Sequence, residues 1–250
     1  MPSKSKISIR NLNKSFGAKM ILRRINLEVD KGKSLVIIGG SGSGKSVLLK
    51  CIIGLLEPNK GAKVFFDGID VANKHIKDRE NLTEKFGMLF QGGALFDSLP
   101  IWYNVCFHML HLGKISQKNA MELAEQKLKM VGISSDVLNL YPAELSGGMQ
   151  KRVGLARAIA NDPEIMFFDE PTAGLDPINA EIIGELIASL SKELKATTVT
   201  ITHDMTCMKK IADRIAMIHS GSIAWQGTKS DIMHSGNSYV ESFIKATGKF

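Results

Sequence analysis

The segment Gly39-Gly-Ser-Gly-Ser-Gly-Lys-Ser46 constrains this chain more than any other. Before it stands Ser34–Ile38, a compact apolar run with β-branched residues, which reads as a buried strand. After it, residues 46–55 have the apolar spacing of a helix that ends at Gly54 or just before Pro58. The spacing fits G-x-x-x-x-G-K-[ST] in the strand–loop–helix context that such a loop requires. Glycines let backbone wrap closely around phosphates, and successive N–H groups ahead of a helix N-terminus make an anion cradle. The residues of that cradle are Gly39, Gly40, Ser41, Gly42, Ser43, Gly44, Lys45 and Ser46. Lys45 would place a point charge on the β- and γ-phosphates, and Ser46 would offer its hydroxyl to Mg²⁺. The plain alternative, a flexible Gly/Ser loop, is disfavoured by the strand and helix flanks.

Two further segments extend this chemistry. Ile165-Met-Phe-Phe-Asp169-Glu170 reads as a buried strand with two carboxylates at its C-terminal end. In open α/β sheets ligands sit at that end. Asp169 can hold Mg²⁺ through water, and Glu170 can polarise an attacking water. In Leu145-Ser-Gly-Gly-Met-Gln150, Ser146 is a good N-cap for a helix over 148–160, and Gly147 and Gly148 leave backbone N–H groups open to an anion. Taken singly, a strand capped by solvated acids and an ordinary capped helix would explain these two segments.

The rest of the chain supplies alternating strands and helices. Strand patterns fall at 7–16, 25–29, 63–67, 86–90, 197–201 and 214–219. Helical stripes fall at 119–131 and 179–194. This alternation predicts an α/β fold with a parallel sheet, and the helical block between about Ala94 and Asn161 predicts an inserted subdomain.

Composition excludes several classes. The chain has 250 residues, 44% hydrophobic and 23% charged, and can bury a core without disulfides or a structural metal. Its longest apolar runs are strand-sized, far below the ~18 residues needed to cross a bilayer. Of the net charge of +7, the first 50 residues carry +9. Such a basic segment suits a polyphosphate, an anionic membrane surface or nucleic acid, unless it is simply a solvated face. Cys51, Cys106 and Cys207 form no CxxC pair, so no disulfide framework or zinc cluster is expected. His108 and His111 share a helical spacing but have no third ligand nearby, so no metal site is expected there. Met-Pro-Ser-Lys-Ser-Lys-Ile at the start lacks the apolar core of a secretory signal, which predicts a cytoplasmic setting.

The ordered set of motifs resembles the ATP-binding cassette family over nearly the whole chain. Gly39–Ser46 match its Walker A loop, Gln91 its Q-loop, Leu145–Gln150 its LSGGQ-type signature with Met149 in place of Gln, and Asp169–Glu170 the end of Walker B. Ala173-Gly-Leu-Asp176 match the D-loop, His203 the switch histidine, and Phe16 the adenine-stacking aromatic, often Tyr. The resemblance implies a P-loop ATPase with a RecA-like parallel core sheet, an N-terminal antiparallel β subdomain and an α-helical subdomain. On that reading residues 1–91 and 162–250 form the catalytic core and 92–161 the helical part.

It also implies ATP and Mg²⁺ as cofactors, with Glu170, His203, Gln91 and Lys45 catalytic, and Ser46, Gln91 and Asp169 around the metal. Two copies would pair head to tail, so that Ser146, Gly147 and Gly148 of one touch the γ-phosphate held by the other. Asp176 would communicate between the two sites.

Within the family, Phe86-Gly-Met-Leu-Phe-Gln-Gly-Gly-Ala-Leu-Phe-Asp-Ser-Leu99, followed by Trp102-Tyr-Asn-Val105, is similar to the ATPase of Mla/Mce-type lipid transporters. That group is also labelled toluene-tolerance or ribonucleotide-transport ATP-binding proteins. This implies separate permease chains, a periplasmic lipid-binding component, and a peripheral place on the cytoplasmic face of the inner membrane. The apolar cluster Leu95, Phe96, Leu99, Ile101, Trp102 and Tyr103 is then expected to dock on the permease. A soluble cassette ATPase acting on nucleic acid or ribosomes is the rival. Such proteins generally carry paired cassettes, a long coiled-coil insertion or zinc modules, so no nucleic-acid partner is expected. A nucleotide-gated module without turnover is a third reading, and the presence of Glu170 and His203 argues against it.

Overall fold

The computed structural model describes residues 5–72 and 80–246. In chain order the elements are β1 (Ser5–Phe16), β2 (Lys19–Asp30), β3 (Ser34–Ile38), α1 (Lys45–Ile53), β4 (Lys63–Phe66), β5 (Ile69–Asp70), α2 (Glu80–Thr83) and β6 (Phe86–Leu89). Then follow α3 (Ile101–His111), α4 (Gln117–Met130), α5 (Gly147–Ala158), β7 (Ile165–Asp169), α6 (Pro177–Glu193) and β8 (Thr197–Ile201). The chain closes with α7 (Met205–Ile211), β9 (Arg214–His219), β10 (Ser222–Thr228) and α8 (Ser238–Ala246).

Two sheets form. One is four-stranded in the order β2-β1-β4-β5, with antiparallel pairing. The other is six-stranded in the order β10-β9-β3-β8-β7-β6; it is parallel from β9 to β6, with β10 antiparallel at one edge. The parallel sheet is as the alternation of strands and helices predicts, and the antiparallel sheet is as the family resemblance implies. The pleat explains the unbroken apolar runs of the central strands. Val36, Ile38, Met166 and Phe168 enter a core shared with α3 to α7. Leu35, Ile37, Ile165 and Phe167 point the other way, into a core shared with α1 and the antiparallel sheet. A strand covered on both faces has no polar side to show.

Several boundaries differ from the sequence reading. β2 begins at Lys19 rather than near Ile25. Its pairing with β1 shifts register repeatedly, and Asn11 and Arg24 take positive φ, so the period-two pattern is broken. α6 starts at Pro177, earlier than its apolar stripe, because Asp176 accepts hydrogen bonds from the Ile178 and Asn179 amides and Pro at the first position is pre-set for a helix. α3 has no counterpart among the elements read from sequence; it starts directly after Pro100.

That start corrects one expectation. Ile101 and Trp102 are buried, packed with α4 and α5, rather than offered to a partner. Phe96, at 41% exposure, does face outward and stacks on Phe107 with ring centroids 4.2 Å apart. Asn104 is fully buried beneath this loop. Its Oδ1 accepts from the Phe96 amide at 2.7 Å, and its Nδ2 donates to the Leu99 carbonyl at 2.9 Å. Among the described residues no helix is long and apolar enough to cross a membrane.

Candidate nucleotide site

The loop from Gly39 to Gly44 joins the C-terminal end of β3 to α1. A Cβ at Gly39 would lie 2.3 Å from the Ile218 carbonyl oxygen, so only glycine lets the loop pass the end of β9. Gly44 caps α1 in the left-handed conformation, with no side chain bonded to the first-turn amides and no acid among them. Those N–H groups are left for an anion. Lys45 is buried; its Nζ donates to the Gly39 carbonyl at 2.8 Å and to that of Gly40 at 3.1 Å. Burial lowers its pKa, while the charges of Glu170 and Asp169 oppose that shift.

Asp169 and Glu170 emerge at the end of β7, beside this loop. Glu170 has φ +47°, a strained value for a non-glycine residue, and its amide donates to the Ile201 carbonyl at 2.8 Å. Its Oε2 lies 2.8 Å from His203 Nδ1 and accepts from the His203 amide at 3.2 Å. Its Oε1 is 4.0 Å from Lys45 Nζ. The pKa of Asp169 is raised, first by burial and then by Glu170; Lys50, a hydrogen bond from Ser46 and Lys151 pull the other way. Asp169 Oδ1 and Ser43 Oγ are buried without a hydrogen-bond partner. The serine that meets Asp169 is Ser46, and a carboxylate with one unpartnered oxygen beside that hydroxyl is a donor set that fits a hard dication such as Mg²⁺.

A cavity of about 780 Å³ has a wall that contains Gly39–Val47, Gln91, Glu170 and His203, together with Ile21 and Phe243; Asp169 is not in that wall and reaches it only through its hydrogen bond with Ser46. Phe16 lies outside that wall. It is 49% exposed at the end of β1, with Lys14 Nζ 5.0 Å from its ring centroid. Ser146, Gly147, Gly148 and Asp176 lie outside it too, and form a second group. Ser146 Oγ accepts from the Met149 amide at 3.3 Å, the expected N-cap. A Cβ at Gly148 would lie 2.6 Å from Asn179 Oδ1. Asn179 Nδ2 donates in turn to Asp176 Oδ2 at 2.6 Å. The two glycine- and aspartate-bearing turns are thus packed on one another through Asn179.

Sequence reasoning missed two residues that hold the site. Lys151, buried on α5, donates to the Gln91 carbonyl. Arg157, also on α5, donates to the Gly93 carbonyl at 2.6 Å and to that of Ala94 at 2.7 Å. Lys151 shares a helical face with Gly154 and Ala158, and a cation on a stripe of small residues was the available signal.

The family model described as "ABC transporter" matches residues 22–173, and this chain belongs to the ABC transporter family. It is an ATPase with the mixed α/β cassette fold. The chain is 34% identical over 244 residues to a probable ribonucleotide transport ATP-binding protein mkl of Mycobacterium leprae, covering 98% of this chain and 70% of that protein. It is 37% identical over 239 residues to the intermembrane phospholipid transport system ATP-binding protein MlaF of Haemophilus influenzae, covering 96% and 90%. It is also 39% identical over 231 residues to the L-cystine import ATP-binding protein TcyC of Bacillus subtilis, covering 90% and 92%. A solved dimeric structure of the ATP-binding cassette MJ0796, bound to ADP and Pi, superimposes with TM-score 0.80 at 31% identity, covering 89% of this chain and 98% of that one.

Proposed function

We propose that this chain is the ATP-hydrolysing subunit of a phospholipid transporter, acting with a second copy of itself on separate permease chains and a periplasmic lipid-binding component. The observation that carries the reading is the convergence of the Gly39–Ser46 loop, Gln91, Glu170 and His203 on one cavity. The free amides at the start of α1 and the Lys45 ammonium bind the phosphates. Lys45, now on the carbonyls of Gly39 and Gly40, is already aimed along the loop. Glu170 takes the proton of an attacking water, and His203, bonded to its Oε2, holds that carboxylate in place. Ser46, Asp169 and Gln91 would hold Mg²⁺, which when bound neutralises phosphate charge.

Ser146 and Gly147 are exposed, as residues facing the nucleotide of a second copy must be. Gly148 brings α5 close to Asn179, and Asn179 links it to Asp176, a route between the two sites. Phe16 stacks on the adenine. In this reading residues 1–91 and 162–250 are the catalytic core, and 92–161 the helical part that meets the permease at the cytoplasmic face of the membrane, with Phe96 as an anchor.

The lipid reading draws on the Phe86–Leu99 segment and on the similarity to the phospholipid system protein. Affinity purification of the tagged chain from solubilised membranes tests it. The expected result is co-purification of a multi-span hydrophobic partner, with ATPase activity raised by phospholipid and not by cystine. Recovery with nucleic acid or ribosomes, or stimulation by cystine alone, overturns it.

A further inference from the structure

We infer that Thr172 and Asp204 form a positioning pair for hydrolysis: the hydrogen bond between them fixes the place of Glu170 and His203 from outside the nucleotide cavity. The inference rests on the reading that Glu170 activates water in that cavity. Thr172 Oγ1 donates to Asp204 Oδ2 at 3.0 Å. Thr172 stands two residues after Glu170, and Asp204 directly follows His203. The bond is therefore a second tie between the same two segments, beside the 2.8 Å contact of Glu170 Oε2 with His203 Nδ1. Neither residue is in the wall of the nucleotide cavity. Both line a neighbouring cavity of about 620 Å³ walled by residues of α6 and α7, and His203 lines the two cavities alike.

Both members of the couple need such a tie. Glu170 sits at φ +47°, and a strained backbone persists only where its surroundings hold it. Between Glu170 and Thr172 stands Pro171 alone, whose ring fixes φ, so a shift of Thr172 is carried back to Glu170. The His203 side chain is 67% exposed, so packing does little to hold it and the main chain around it must. Asp204 is a firm post for that purpose. Its Oδ1 accepts from the Thr206 and Cys207 amides at 2.8 and 3.3 Å, and its own amide donates to Thr202 Oγ1 at 3.0 Å. The helix it caps buries Met205, Cys207 and Met208 in the core. One carboxylate thus holds α7 with one oxygen and Thr172 with the other. Thr172 is itself buried, so water cannot readily replace a lost partner. The Leu175 amide donates to the Thr172 carbonyl at 3.3 Å, so the turn that this bond anchors is the one leading to Asp176.

The test is steady-state hydrolysis of Mg-ATP by the full chain. Thr172→Val keeps the shape of the side chain and removes the donor. It is expected to lower kcat roughly ten- to a hundredfold, the scale on which small misplacements act, and to change KM for ATP little, because the pair lies outside the nucleotide cavity. Thr172→Ser restores a hydroxyl and is expected to recover most of the rate. Asp204→Ser keeps a good N-cap for α7 but is too short to reach Thr172. It is expected to lower kcat likewise, and it carries the test should the valine variant not fold. The double variant Thr172→Val, Asp204→Ser is expected to be no slower than the slower single, since both changes break one bond. Parental kcat in Thr172→Val or in Asp204→Ser overturns the inference. So does a raised KM with unchanged kcat, a serine variant as slow as the valine one, or losses that multiply in the double variant. Glu170→Gln run in parallel separates the two readings. Parental turnover in that variant removes the water-activating reading and this inference together, whereas slow turnover there beside parental kcat in Thr172→Val removes this inference alone.

Discussion

Lys151 on α5 donates its ammonium to the main-chain carbonyl of Gln91, a residue 60 positions earlier in the chain. The helix that begins at Ser146 thereby grips the loop that enters the nucleotide cavity, with Arg157 gripping the next turn of the same loop. Lys151 acts through Gln91 and is a positioning residue. Lys151→Met should keep the helix packed but leave the Gln91 carbonyl without its partner. We expect kcat to fall by roughly ten- to a hundredfold, the scale on which small misplacements act, with KM for ATP changed little. Lys151→Arg should recover part of the rate, since it restores a donor. A parallel rise in KM with unchanged kcat would show that the clamp serves binding instead.

Lys45 and Glu170 face one another across the cavity at 4.0 Å and should fail in different ways. Lys45→Ala removes the fixed cation of the loop, so nucleotide binding should be lost in equilibrium titration. Unchanged ATP affinity would sink the phosphate-loop assignment. Glu170→Gln keeps size and a hydrogen-bond acceptor but cannot take a proton. It should bind ATP normally and hydrolyse it roughly 10²–10⁴-fold more slowly. Size-exclusion chromatography with ATP should then show an accumulated dimer. Turnover at the parental rate would move the general base elsewhere.

Lys6 ties the antiparallel sheet to the start of β7 and predicts a pH dependence. It is buried, bonded to Asp67 at 2.6 Å and to Glu164. Burial works against its charge, and the hydrogen bonds to Asp67 and Glu164 outweigh that, so its pKa is raised. The hydrogen bonds from Lys6 and then Lys85 hold the Glu164 pKa down at about 2, against an ordinary value of 4.5. A depressed carboxylate stabilises the fold above its unfolded pKa and loses that contribution as pH falls through the folded one. The difference in Tm between the parent and Lys6→Met should be full above about pH 4.5 and shrink toward pH 2. A difference constant across that window would show that Lys6 contributes by packing its stem alone.

What was legible in the sequence follows from the range of the interactions involved. The phosphate loop, the Asp169–Glu170 pair and the Ser146 cap each lie within a few residues of the element that positions them, so spacing displayed them. The hold of Lys151 and Arg157 on residues 91 to 94 spans about 60 positions and leaves no periodicity. Phe243, in the cavity wall, is a different case. Its helix was not read at all, because nothing local says that α8, whose Tyr239 stacks on His219, meets the end of β9. β2 was read short because bulges erase alternation where they occur.

The segment from Gly92 to Tyr103 shows how a cluster of aromatics divides once the fold is known. Trp102 is 8% exposed and belongs to the core cluster that also holds Val105 and Val137, whereas Phe96 is 41% exposed and stacked on Phe107. Trp102→Ala should therefore act on stability. A core aromatic replaced by alanine costs about 3–5 kcal/mol, a large share of the margin of a single domain, and would appear as a lowered urea midpoint. Phe96→Ala should leave that midpoint and ATP affinity near the parental values, because its ring is exposed and Asn104 still holds the loop through the main chain. If this face meets the membrane partner, pull-down of the permease should weaken with Phe96→Ala and with Phe107→Ala. Full partner capture by both variants would move the docking surface off this loop, while a fall in the urea midpoint for Phe96→Ala would make the residue part of the fold rather than its interface.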